Sequence, residues 1–157
     1  MSVSIKLEGV GSVQAVFREL ADEIGDKKAN SKILIPAVRE AMKPVLAKAR
    51  TDAPVDTGGL KRSLQVEARR PNRKDKRSKY IASTDTVISL VTTAPGKKLA
   101  KLGIKSDARA IAQEFGTARN PAHPYLRAAL ESQSTSVVNN LAGILARRID
   151  KYKKANL

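Results

Sequence analysis

His123 is the only histidine in the chain, and the sequence contains no cysteine. A transition-metal site needs several nitrogen, sulfur or carboxylate donors at close spacing. No HxxxH pair and no His/Asp cluster accompanies His123. Pro121 and Pro124 stand on either side of it, which suits a residue that shapes a turn. Asp56 and Glu114 are single carboxylates, and acid–base catalysis by a pair would require the fold to bring them together. The run Gly58-Gly59-Leu60-Lys61-Arg62-Ser63 is faintly like a phosphate-binding turn. It lacks the Walker spacing, and no strand leads directly into it. Without a thiol there is no thiolate nucleophile, no thiolate metal site and no disulfide. The expectation is a protein that is not an enzyme and carries no metal or cofactor.

Charge is the more informative chemistry. Thirty Lys and Arg face fifteen Asp and Glu, a net charge of +15. Such a surplus must meet something acidic or keep the chain soluble by self-repulsion. Residues 69–79 read RRPNRKDKRSK, seven cations (Arg69, Arg70, Arg73, Lys74, Lys76, Arg77, Lys79) around one acid, Asp75. A second cluster runs from Arg147 to Lys154. Each is either a solvated segment or an electrostatic dock. Nucleic acid fits the charge, yet no helix-turn-helix, zinc finger or RNP-type aromatic motif is present. Tyr80 adjoins the block, but one aromatic is a poor stacking platform. Any DNA contact would therefore fall on phosphates, blind to sequence and sensitive to salt.

These residues must be positioned by a modest frame. At 157 residues and 41% hydrophobic content the chain suits one domain, 1–157. With 3% aromatic residues, aliphatic side chains must build its core. The N-terminus lacks the apolar run of a signal peptide. No stretch approaches the roughly 20 apolar residues of a membrane span, so no membrane partner is expected. Alternation at Val3, Ile5 and Leu7 predicts a strand. Ser12 can cap a helix with Val13, Val16, Phe17, Leu20 and Ile24 on its apolar face, stopped by Gly25. A longer helix is predicted over about 31–52, striped by Leu34, Val38, Ala41, Met42, Val45 and Ala49 and kinked at Pro44. Leu34, Val38, Met42 and Val45 should be buried against the sheet.

Thr57 can cap a short helix ending near Ser63. Leu64, Val66 and Ala68 alternate as a strand, and residues 87–93 form another. The basic segment of about 69–80 should be a long flexible loop or hairpin tip, ordered only if an acidic counterpart meets it. Residues 97–105 have no clear form, and 108–115 fit neither helical nor strand period. A last helix over about 124–150 begins with Pro124 as its first residue. Leu126, Ala129, Leu130, Val137, Leu141, Ile144, Leu145 and Ile149 mark its apolar face. The fold class is α+β: a small, mostly antiparallel sheet packed against long helices.

Two segments carry a resemblance: Ala49 to Leu64, ARTDAPVDTGGLKRSL, and Glu114 to Leu130, EFGTARNPAHPYLRAAL. Together, in this order and with a basic stretch between them, they resemble the head–tail joining and tail-completion (minor tail, neck) family of tailed bacteriophages. The resemblance covers about residues 30–145 and is weakest over 97–112. It implies a structural subunit of the virion, made in the host cytoplasm, that closes the top of the tail and helps join it to the head. It further implies a ring of identical copies, a hexamer being the favoured number, beside a tail-terminator ring and the head-side connector. Passing contact with genomic DNA is part of that picture.

The motif residues have matching physical readings. Pro54 stops the long helix. Asp56 and Thr57 can accept from backbone amides at the next helix start. Gly58 and Gly59 permit positive φ or close approach, with Leu60 following in the motif. Glu114, Phe115, Gly116 and Thr117 read as an element end, Phe115 in the core and Gly116 turning the chain. Pro121, His123 and Pro124 set the angle of the last helix, and Tyr125 and Leu126 anchor it. The alternative reading is a basic accessory protein of a phage or mobile element that binds nucleic acid without sequence preference, and a phage enzyme comes third.

Overall fold

A computed structural model describes residues 10–54, 58–104 and 109–156. The expected strand at 3–7 and the capping residues Asp56 and Thr57 lie outside the described residues. In chain order the elements are α1 (Val10–Ile24), α2 (Asp26–Ala29), a π-helical turn (Asn30–Leu34), α3 (Ile35–Ala41), α4 (Lys43–Asp52) and α5 (Gly59–Ser63). Strand β1 (Leu64–Arg69), a 3-10 turn (Asp75–Arg77), strand β2 (Ile88–Thr93), α6 (Gly96–Lys101), α7 (Arg109–Phe115) and α8 (Leu126–Asn156) follow. The class is α+β, with one two-stranded antiparallel sheet among the described residues. Ala94 N donates to Ser63 O at 2.7 Å, extending the pairing beyond the end of both strands.

The chain forms two compact units, Met1–Ala41 with Ala68–Leu90 and Thr135–Leu157, and Met42–Glu67 with Val91–Ser134. In the first, α1 ends at Gly25, whose φ of 87° suits a residue without Cβ. Its amide donates to Ala21 O at 2.8 Å. The core joins Leu20 of α1 to Ile33, Ala37 and Ala41, and to Ile144, Leu145 and Ile149 of α8. Phe17, Ile24, Leu34, Val137, Leu141 and Tyr152 pack around it. It is a helix-on-helix core, to which the strands contribute no member among the described residues.

Here the apolar stripe differs from the expected one. Ile33 and Ala37 are fully buried, whereas Leu34 and Val38 are half-buried. The departure falls at the π-helical turn Asn30–Leu34. A π turn holds an extra residue and so shifts the α-helical count locally, while Ala41, Met42, Val45 and Ala49 further on are buried as expected. Pro36 follows two residues later, where a regular α-helix would need the amide that proline lacks. Val16 is also exposed, so the buried face of α1 is narrower than its sequence pattern.

In the second unit the expected kink is a break. Met42 takes φ −81° and ψ −4° between α3 and α4, placing Pro44 in the first turn of α4. At that position a missing amide costs nothing. Met42, Val45 and Ala49 form the buried face as the stripe required, and Ala53, just past the helix, is buried as well. The N-cap of α5 is Gly58, left-handed at φ 73°, and the helix ends at Ser63 as anticipated. Arg50 Nη2 donates to Leu64 O at 2.8 Å, tying α4 to the start of β1. Residues 96–101, unassigned from sequence, form α6 around buried Leu99. Residues 109–115 are helical, with Ala110 and Glu114 buried one turn apart.

Candidate functional site

Two segments singled out by sequence become defined structures, one in each unit. The first joins α7 to α8. Glu114, in the last turn of α7, is buried. Its Oε2 accepts from the amides of Tyr125 (2.9 Å) and Leu126 (2.8 Å), and its Oε1 from Arg127 (3.0 Å). These amides belong to the first turn of α8, where backbone donors have no helical partner. A carboxylate there also meets the positive end of the helix dipole. Glu114 is therefore a cap supplied from another helix. Helix α8 starts at Leu126, two residues later than Pro124, because this cap fixes its beginning.

The intervening residues 116–124 form a tight elbow. Gly116 N donates to Ala112 O at 2.8 Å, Thr117 N to Asn120 O at 2.8 Å, and His123 N to Gln113 O at 2.7 Å. Thr117 Oγ1 accepts from the amides of Arg119 (3.3 Å) and Asn120 (3.1 Å). The side chains of Pro121, His123 and Pro124 are exposed, and Tyr125 is buried as the anchor. Leu126 is half-buried.

Gly116 adopts φ 76°, and a Cβ there would lie 2.8 Å from Ala122 N and 3.2 Å from its Cα. Both strain and a backbone clash thus oppose any side chain. Gly116→Ala should destabilise by about 2 kcal/mol, the left-handed penalty plus displacement of residue 122. Gly103→Ala, at φ 68° with nothing within 4 Å, isolates the conformational part and should cost less. Urea melts of both variants check this order.

The expectation that Phe115 sits in the core is wrong. Phe115 is 70% exposed and Ile111, one turn earlier, 67% exposed. Burial of Ala110 and Glu114 on α7 turns residues 111 and 115 outward. Leu130 of α8 is likewise exposed, at 48%. In the other motif Pro54 is exposed, Gly59 is buried and Leu60 is half-buried.

The second site is the basic turn. Asp75 and Arg69 form a two-pronged ion pair, Arg69 Nη1 to Asp75 Oδ2 and Nη2 to Oδ1 (3.1 Å). Asp75 Oδ2 also accepts from Asn72 N at 2.6 Å. Asn72 Oδ1 accepts from the amides of Lys74 and Asp75, both at 2.9 Å. Ser78 N donates to Asp75 O at 2.9 Å. The segment has a defined backbone, and the acidic counterpart expected from a partner is supplied in part by Asp75. Arg70, Arg73, Lys74, Lys76, Arg77 and Lys79 remain exposed. Lys79 Nζ lies 5.0 Å from the ring centroid of exposed Tyr80.

The Arg69 side chain, then the Asn72 amide, hold the Asp75 carboxyl below its ordinary value of 3.8. A depressed carboxylate contributes order above its unfolded pKa and loses it as pH falls through the folded one. The amide resonances of Asn72 and Lys74 should thus be flat near neutrality and move with a midpoint below pH 3.8. A midpoint at or above that value would mean the ion pair does not form in solution.

Sequence reasoning missed one anchor. Glu40 on α3 accepts from Arg148 Nη2 (2.7 Å) and Nε (3.1 Å), and from Arg147 Nη2 (3.4 Å). Two cations of the C-terminal cluster are thus tied down, and a separation of over a hundred residues leaves no local signal of it. Among the described residues no group of three or more His, Cys, Asp or Glu could hold a metal ion. No described helix is long and apolar enough to cross a membrane.

Comparison with known proteins places residues 15–116 in a family described as "Bacteriophage HK97-gp10, putative tail-component". The match spans the first motif, the basic turn and the start of the second motif, stopping at Gly116. Neither the comparison with curated proteins nor that with solved structures gives a match. With well over half of its length covered, the chain belongs to the HK97-gp10-like family of bacteriophage tail components.

Proposed function

We propose that this tail component works at the head–tail junction as a non-catalytic structural subunit of the virion, completing the top of the tail. The observation that carries the reading is the family match over residues 15–116. The chemistry of the motifs agrees with it. Glu114 is committed to capping α8, and the conspicuous surface features are apolar (Ile111, Phe115) and cationic (the 69–79 turn). Such surfaces suit assembly rather than turnover. In this reading Ile111 and Phe115 face a neighbouring copy in a ring, and the basic turn meets an acidic face of a tail-terminator or connector protein. A cationic turn lining the DNA path would grip phosphates that must slide past, which favours the protein partner.

Electron microscopy of particles made without this protein tests the proposal. Filled heads with separate or malformed tails are expected. Normal infectious particles in its absence would exclude the role.

A further inference from the structure

Helix α8 begins in one unit and ends in the other, and the division falls between Ser134 and Thr135. Its two ends are well held. The start is capped by Glu114 and anchored by buried Tyr125 and Ala129. The far half packs Ile144, Leu145 and Ile149 into the core of the first unit. From Leu130 to Gly143 no residue is buried, and Val137 and Leu141 only edge that core. The middle is also a poor helix by composition. Residues 132–140 read SQSTSVVNN. All but Gln133 are Ser, Thr, Val or Asn, which lose side-chain freedom in a helix or offer its backbone competing hydrogen bonds. Two such bonds are present: Ser132 Oγ donates to Ala129 O and Ser134 Oγ to Glu131 O, both at 3.1 Å. Hydroxyls bonded back to the preceding turn share carbonyls with the helical ladder and slightly weaken it.

We propose that residues 132–140 are a hinge within α8, a stretch that opens and recloses as helix while both ends stay docked. The opening leaves the Glu114 cap and the packing of Ile144, Leu145 and Ile149 intact, so α8 can bend in its middle without unfolding either unit. A second crossing agrees with this use. The path between the units after Ala41 meets the helix interruption at Met42. Both helical crossings thus carry an interruption or a weak turn at the boundary. Gly143 is the poorest single helix former in α8, but Leu141, Ile144 and Leu145 beside it are held by the core, which places the hinge in the serine-rich stretch instead. The hinge goes beyond the assembly role and does not depend on where in the virion the chain sits.

Native-state hydrogen exchange of the full chain, read by NMR at low urea concentrations, tests the hinge. The amides of residues 134–140 should exchange at least about tenfold faster than those of residues 128–131 and 145–150. Their rates should depend little on urea, because a local opening exposes little surface. Ser132→Ala/Ser134→Ala/Ser136→Ala raises helix propensity inside the stretch and should slow these middle amides about tenfold. Gly143→Ala raises propensity outside it, and the added Cβ meets nothing within 4 Å. Residue 143 stays helical when the hinge opens, so this exchange should change the middle rates less than about twofold, although the whole protein becomes more stable. A smooth gradient of rates from one end of α8 to the other would be fraying, and uniform rates along α8 would mean that it opens only as a whole; either result overturns the hinge. It is overturned too if the serine variant leaves the middle rates unchanged, or if Gly143→Ala slows them as much, since the break would then lie at Gly143.

Discussion

Glu114→Ala should destabilise the protein by about 3 kcal/mol, because three backbone donors lose a charged acceptor at once. An ordinary N-cap loss costs roughly 0.5–2 kcal/mol for one satisfied donor. Glu114 serves the amides of Tyr125, Leu126 and Arg127, and Tyr125 is buried where water cannot replace the carboxylate. The part-buried amides of Leu126 and Arg127 recover some hydration, which keeps the total below three full hydrogen bonds. Glu114→Gln should be nearly as damaging, since its amide group sets one donor against another and removes the charge facing the helix dipole. Urea melts read the effect. A loss under about 0.5 kcal/mol for the alanine variant would mean that α8 begins without this cap.

Ile33→Ala should cost roughly 2–5 kcal/mol, the usual range for emptying a well-packed aliphatic site. Leu34→Ala should cost less than half as much. The difference follows from burial at the π-helical turn: Ile33 is fully enclosed by α1 and α8, whereas Leu34 lies at the margin of that core. A helix with Leu34 and Val38 on its buried face would reverse the order. The same denaturant melts on both variants therefore test the helical register as well as the burial. Equal losses, or a larger loss at Leu34, would place the π turn elsewhere or remove it.

Much of the frame was legible because its signals are local. The alternation at Leu64, Val66 and Ala68, the β-branched run before Thr93 and the glycine stop at Gly25 each specify their own element. The helix after Gly25 is legible as a helix, but its buried face begins with Ile33 and Ala37 rather than Leu34 and Val38, and a π turn leaves no mark on composition. The flanking Pro36 was the available hint. Phe115 was misplaced for a different reason. Its neighbour Glu114 is polar, yet three orphan amides draw it inward, and turning Glu114 in turns Phe115 out. In the basic segment the count of seven cations and one acid does not show how that acid is placed. Asp75 sits three residues after Asn72, a spacing that lets both side chains bond the turn backbone, and that pattern was readable.

The interleaving of the two units has a consequence for the order in which the chain takes shape. Neither unit is a contiguous stretch of sequence, and the path crosses between them after Ala41, Glu67, Leu90 and Ser134. While a ribosome makes the protein, Phe17, Leu20 and Ile33 emerge long before Ile144, Leu145 and Ile149, the residues that cover them. For the synthesis of more than a hundred residues, many seconds at cellular rates of about 5–20 residues per second, that apolar face has no native cover. The nascent chain is therefore a natural client for holding chaperones, and its yield should depend on them more steeply than its final stability would suggest.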